Sequence, residues 1–198
     1  MDLQELYQPK DLSRLGTFWH AFQQVYLDLY GSRLATITAM AGHAPAAGCM
    51  VALACDYRIM TSNPKRASIG LNESQLGIVA PPWLGQMYID TIGHRRAEWA
   101  LSLGTLFLPT QALEIGLVDQ LVSDDDDVVP VAKEQAAQWI RIPSQARVAT
   151  KQLTRQRQMD HLMATRDADT EHFCTFVTQD KVQKTLGIYL ERLAKKKK

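Results

Sequence analysis

Pro81-Pro82 divides the chain into two regimes of sequence pattern, and that division constrains the fold more than any single residue does. Ahead of it, short apolar and β-branched runs alternate with helical spacing; behind it, helical spacing dominates. Leu34-Ala35-Thr36-Ile37-Thr38-Ala39-Met40, bounded by Gly31 and Gly42, predicts a mostly buried strand. A turn then opens a helix from Ala47 to Ala54. Tyr57-Arg58-Ile59-Met60 and Ala67-Ser68-Ile69-Gly70 follow as short strands, separated by the turn formers Ser62-Asn63-Pro64. Strand, helix and strand in succession imply an α/β core with parallel pairing, because the helix carries the chain back to begin the next strand in the same direction.

The flanking pattern is helical. Leu12, Leu15, Phe18, Phe22, Val25 and Leu29 recur at intervals of three and four, so the opening 30 residues read as an amphipathic helix capped by Asp11 or Ser13. Beyond Pro82, helices are expected over 83–92, 94–103, 110–115, 128–140, 144–156, 160–178 and 180–194. A strand, Leu117-Val118-Asp119-Gln120-Leu121-Val122, interrupts them. The expected organisation is an α/β region over 1–123 and a helical region over 124–198. Phe173, Phe176 and Val177, then Leu186, Tyr189, Leu190 and Leu193, give the last helices apolar faces that must cover their own sheet or a neighbouring subunit.

Charge and cysteine content narrow the function classes. The 22 basic and 21 acidic residues leave a net charge of +1, too weak a field to argue for nucleic acid or a membrane surface. Lys195-Lys196-Lys197-Lys198 reads as a solvated helix end beside the negative pole of the helix dipole. Asp124-Asp125-Asp126-Asp127 precedes a helix start, where negative charge is favoured; it lacks the alternating ligands and glycine of a calcium loop. Three cysteines cannot build a disulfide framework, and Cys49 and Cys55 lie in an apolar run that suits a reducing compartment. No run approaches the roughly 20 apolar residues of a membrane span, and the first residues lack the pattern of a signal peptide, so no stable membrane insertion and no targeting segment are expected. His43, Cys49 and Cys55 have no paired-ligand spacing, which excludes zinc.

Two short stretches carry the candidate chemistry. Ala46, Ala47 and Gly48 are small enough for another molecule to approach the backbone, and they open a helix whose first amides lack intrahelical partners. That suits an oxyanion; close helix packing explains the same residues. In Leu71-Asn72-Glu73-Ser74-Gln75-Leu76 a single carboxylate sits among apolar residues, which raises its pKa toward working pH; capping of a short helix is the other explanation.

Taken together, these stretches resemble the crotonase (enoyl-CoA hydratase/isomerase) superfamily of acyl-CoA enzymes. Met40 to Cys49, followed by Cys55-Asp56-Tyr57-Arg58-Ile59, looks like the second oxyanion-hole segment of that family. Ile69 to Ile78 is most similar to its enoyl-CoA isomerase branch. The resemblance continues through Thr91-Ile92-Gly93-His94-Arg95, Ala112 to Asp119 and Tyr189-Leu190-Glu191-Arg192-Leu193, so it covers nearly the whole chain. It implies a crotonase-like ββα spiral core followed by a C-terminal helical trimerisation region, a homotrimer, and a mitochondrial matrix location. Family hydratases use two glutamates, one at the position of Glu73 and one where this chain has Met50. A thioether cannot activate water, so the implied reaction is a double-bond shift from 3-enoyl-CoA to trans-2-enoyl-CoA in β-oxidation of unsaturated fatty acids.

The resemblance assigns roles residue by residue. Glu73 is the implied base and the Ala47 amide the implied oxyanion donor, with Asp2, Ala46, Gly48, Cys49, Met50 and Asn72 implied in substrate binding. Neither a cofactor nor a metal is implied, CoA being part of the substrate. Ala47 stands where the family often has glycine, which keeps the donor but narrows the approach. Met1-Asp2-Leu3 resembles only the end of a Ser-Ala-Gly-Leu-Asp-Leu-like segment that gives the family its first oxyanion donor and CoA contacts. The expected core therefore lacks its opening strands, with exposed edges and a turnover lowered by about two to three orders of magnitude. An alternative follows: a catalytically impaired short form acting as an interaction subunit of a full-length trimer. Serine proteases of the ClpP type share the architecture, but need a serine nucleophile where this chain has Ala47 and Gly48.

Overall fold

A computed structural model describes residues 2–123 and 127–196. After a 3-10 turn at Leu3–Glu5, helix α1 runs from Leu12 to Tyr30. Asp11 is its cap, accepting from the amides of Ser13 at 2.8 Å and Arg14 at 3.2 Å. Strands β1 (Ile37–Met40), β2 (Ala44–Pro45), β3 (Tyr57–Thr61), β4 (Ile69–Gly70) and β5 (Gln120–Val122) are joined by α2 (Ala47–Ala54), α3 (Pro82–Ile92), α4 (His94–Leu103) and α5 (Pro109–Glu114). The chain ends with α6 (Val128–Trp139), α7 (Ser144–Val177) and α8 (Asp180–Lys196). None of these helices is long and apolar enough to cross a membrane.

The strands form two small parallel sheets, in the orders β1-β3-β5 and β2-β4. In the first, Ile37 pairs with Tyr57 and Ile59 with Gln120; in the second, Ala44 pairs with Ile69 and Pro45 with Gly70. An antiparallel bridge joins Ile69 to Phe107 through bonds of 3.0 and 2.8 Å. The backbone approaches so closely there that a Cβ on Gly70 would overlap the Thr105 carbonyl oxygen.

Three expectations are corrected. The strand anticipated from Leu34 begins at Ile37 and is only partly covered; Leu34 itself is 71% exposed, because β1 is an edge strand with α6 on one side. The strand expected from Leu117 begins at Gln120: Leu117 and Val118 are buried, but their amides turn back to Ala112 to close the end of α5. The helices expected over 144–156 and 160–178 are one helix of 34 residues. The apolar spacing lapses near Arg157, yet no Gly or Pro lies between Ser144 and Val177, so nothing breaks the backbone ladder. The residue Asp127 is the only member of the acidic run described; its side chain makes no capping bond, and the rest of that expectation falls outside the described residues. The Lys197 and Lys198 portion of the basic tail does too.

The main core joins α1, α2, β4, α3, α7 and α8, and therefore crosses residue 123. The apolar faces of the last helices are partly covered by this core, with Phe173, Val177, Val182 and Leu186 buried. Trp19 of α1 stacks on Phe173 of α7 at 3.5 Å and 7°, a contact worth about 1 kcal/mol beyond area burial. A second, smaller cluster of Ile59, Val122, Val128 and Ala132 holds α6 against the first sheet. The buried carboxylate of Asp56 meets Lys151 Nζ and Arg155 Nη2, each at 3.0 Å, and accepts from the Thr36 amide at 2.8 Å. Arg155 also donates to the carbonyls of Tyr30 and Ala54. This network pins α7 across the ends of α1 and α2.

Candidate functional site

The parallel β2-β4 pair sets the two candidate stretches side by side. From β2 the chain passes through Ala46 into α2; from β4 it passes through Leu71 and Asn72 into a 3-10 turn, Glu73–Leu76. Ala46 donates from its amide to the Gly70 carbonyl at 2.9 Å and accepts from the Met50 amide at 3.0 Å. These bonds hold it at φ 49 and ψ −113, a left-handed conformation that a residue with a Cβ seldom adopts. The strained turn leaves the Ala47 and Gly48 amides at the open end of α2, where no intrahelical acceptor exists. A Cβ on Gly48 would meet Ala44 Cβ at 3.4 Å and Pro45 Cδ at 4.0 Å, both ordinary contacts. Packing around position 48 therefore does not by itself require a glycine there.

Ala47, Gly48, Met50 and Val51 border a cavity of about 460 Å³, closed on its other side by Phe18, Ala21, Phe22 and Val25 of α1. Sequence spacing placed Phe18, Phe22 and Val25 on an apolar stripe of α1; the structure makes that part of the stripe a cavity wall, and leaves Val25 49% exposed. Nothing in the spacing separates packed from cavity-lining positions.

Glu73 lines a second cavity of about 240 Å³ with Leu71, Ser74, Ile78, Val79, Ala80, Leu101 and Ser102. The carboxylate is buried, and its Oε2 lacks a hydrogen-bond partner among the described residues. Burial pushes its pKa up from 4.5 to about 7, opposed by a bond from its own amide. Asn72, at the cap position, makes no side-chain cap bond, while the Glu73 carboxylate accepts from its own amide and keeps Oε2 without a partner among the described residues. The turn ends at Gly77, where φ is 77 and a Cβ would come within 2.7 Å of Thr185 on α8.

The structure brings together most of the sequence-selected residues. Cys49 is fully buried on the first turn of α2, close enough to Glu73 that charge on one disfavours charge on the other; burial, the larger effect, also keeps it a thiol. Met50 is buried beside it and supplies no titratable group. Asn72 is buried and accepts from the Gln75 amide, stabilising the base's turn. Ala47 and Gly48 border one cavity and Glu73 the other. Asp2 is elsewhere: it caps the first 3-10 turn, accepting from the Gln4 amide at 2.9 Å, and borders a separate polar cavity with Tyr7, Lys10 and Arg14. Sequence reasoning missed Leu101 and Ser102 of α4, which reach the Glu73 cavity from a distant part of the chain. Among the described residues, no group of three or more His, Cys, Asp and Glu side chains is placed to hold a metal ion.

Residues 1–197 match the family described as enoyl-CoA hydratase/isomerase. The chain belongs to that family. Within it, the chain is 48% identical to the rat protein named enoyl-CoA delta isomerase 1, mitochondrial, over all of its own length and 67% of that relative's. The human protein of the same name is 49% identical over 91% of this chain and 59% of its own. The crystal structure of human mitochondrial delta3-delta2-enoyl-CoA isomerase superposes with a TM-score of 0.96 at 46% identity, over the whole of this chain and 76% of that one. More distant enoyl-CoA hydratase/isomerase family structures share the fold; one from Bacillus halodurans has a TM-score of 0.78 at 25% identity. The family membership fixes the crotonase fold for the α/β core and its helical C-terminal region.

Proposed function

We propose that the protein is an enoyl-CoA delta isomerase, moving the double bond of a 3-enoyl-CoA into conjugation to give the trans-2-enoyl-CoA during fatty-acid oxidation. The observation that carries this reading is Glu73: one buried carboxylate with a pKa near 7, facing a cavity whose other described lining residues carry no acid. Hydration calls for a second acid to handle water, and at the α2 position where the resemblance puts that acid in hydratases this chain holds Met50, which borders the neighbouring cavity. A double-bond shift needs one group that is base and acid in turn.

The Ala47 amide, with Gly48 beside it, donates a hydrogen bond to the thioester oxygen and makes C2 more acidic. Glu73 removes a C2 proton; the C2–H electrons move into a dienolate whose negative oxygen the α2 amides stabilise. The same carboxyl group returns the proton to C4, the double bond settles between C2 and C3, and the thioester carbonyl re-forms. A pKa near 7 suits both halves, since neither protonation state is strongly favoured at working pH. Ala46, Cys49 and Asn72 belong to the two turns that carry the Ala47 amide and Glu73, and Met50 offers no acid to activate water. CoA enters as part of the substrate, and no separate cofactor takes part. The mitochondrial names of the relatives support a matrix location, and the exposed apolar residues Ile140, Ile142, Leu153 and Met163 support association into a homotrimer.

The test is turnover of a 3-enoyl-CoA, read as the ultraviolet absorbance of the conjugated thioester. Glu73→Gln is expected to lower kcat by about two to four orders of magnitude. Undiminished activity in that variant, or a 3-hydroxyacyl product from the unmodified chain, overturns the reading. A folded chain that turns nothing over yet co-assembles with a longer family member supports the interaction-subunit alternative instead.

A further inference from the structure

Glu73 rides on a single 3-10 turn, and so short a turn is held loosely by its own bonds, whose geometry is poorer than that of an α-helix. Its amide bonds, Gln75 to Asn72, Gly77 to Ser74 and Ile78 to Glu73, close at 3.1 Å each. A side chain ties the turn to another element. Gln75 donates from Nε2 to the Gly104 carbonyl at 2.8 Å and to the Leu103 carbonyl at 3.3 Å. Both carbonyls lie at the C-terminal end of α4, beyond the reach of helical amides. The same end of α4 supplies Leu101 and Ser102 to the Glu73 cavity, so Gln75 joins the base's turn to another wall of its own cavity. The two elements lie close: a Cβ on Gly104 would come within 2.7 Å of Gln75 Cγ and 2.8 Å of Ser74 Oγ. From α8, Thr185 packs against Gly77 while its hydroxyl donates to the Lys181 carbonyl at 3.0 Å.

We propose that Gln75 is a positioning residue for the reaction: its two bonds to the end of α4 fix the turn that holds the Glu73 carboxyl group at its cavity. The inference rests on Glu73 being the base. A carboxyl group that takes a proton from C2 and returns it to C4 serves two carbons from one seat, and a displacement of about 1 Å costs up to about a hundredfold in rate. Gln75 is exposed and stands outside the core cluster, so its replacement removes these bonds and leaves the core intact.

The experiment measures kcat and KM on a 3-enoyl-CoA for the unmodified chain, Gln75→Met, Gln75→Asn and Gln75→Lys, per folded chain and at a pH above the titration of Glu73. Methionine keeps the length without a donor, and asparagine keeps the amide without the reach. Lysine reaches the carbonyls with an ammonium donor, which a helix C-terminus favours. Gln75→Met and Gln75→Asn are expected to lower kcat by about 10- to 100-fold with KM held within about twofold, and Gln75→Lys to recover most of that loss. An unchanged kcat in Gln75→Met and Gln75→Asn, whatever their denaturation midpoints, overturns the role of Gln75. A loss confined to KM, or one that Gln75→Lys does not recover, overturns it too. In each of these cases an inactive Glu73→Gln leaves the base in place. Full activity in Glu73→Gln overturns the base itself and, with it, this inference.

Discussion

Glu73 carries opposed demands on stability and activity. Its folded-state pKa, about 7, lies above the ordinary 4.5, so the native state binds a proton more tightly than the unfolded chain does. The favourable contribution is therefore fully present below pH 4.5 and is lost as pH rises through 7. The difference of about 2.5 units corresponds to roughly 3 kcal/mol once the carboxylate is ionised. Glu73→Gln, which cannot ionise, is expected to unfold at higher denaturant concentration than the unmodified chain at pH 8 and at the same concentration at pH 4.5. Urea titrations at the two pH values check this; an equal midpoint at pH 8 removes the argument. Under the proposed mechanism, the residue on which activity depends is thus one whose replacement strengthens the fold, as expected where a site is built by burying a charge.

At the scale of elements, α7 depends on chemistry that its hydrophobic pattern conceals. Its buried positions, Lys151, Leu162, Thr170, Phe173 and Val177, include a lysine and a threonine, and the lysine's partner is the Asp56 carboxylate. Asp56 also holds Arg155 and the Thr36 amide, so its loss strands two cations in a largely buried setting. Burial pushes the Lys151 amine below its ordinary range even with that partner, which measures how poorly the site solvates a charge. Asp56→Ala is expected to cost about 3–5 kcal/mol, read by chemical denaturation, with loss of hydrogen-exchange protection concentrated in the first half of α7. The N-terminal end of α2 tells a related story. Small residues at 46–48 were legible as a place for close approach, but the left-handed backbone of Ala46 that aims the amides came from pairing with Gly70, a contact between separate strands.

For the whole molecule, association is the property that the single chain argues for but does not contain. Leu153 is 85% exposed and Ile140 70% exposed on the outer helices, whereas Phe173, Val177 and Leu186 of the same region are buried within the chain. Light scattering coupled to size separation is expected to give three times the 22.2 kDa chain mass, and a monomeric mass rejects the trimer. The sequence by itself determined the order and kind of most elements, the parallel α/β core, the cap at Asp11, and the pairing of a small-residue turn with one acid and no second acid at Met50. Those features are local: they follow from periodicity, from propensity and from which side chains can carry a proton. Tertiary structure decided the rest. It fused two expected helices into α7, shortened β1 and β5, turned part of the α1 stripe into a cavity wall and set Asp2 against a different cavity. Above all it raised the pKa of Glu73 and brought Leu101 and Ser102 to its cavity, because desolvation and proximity depend on what the folded chain places around a residue, not on its neighbours in sequence.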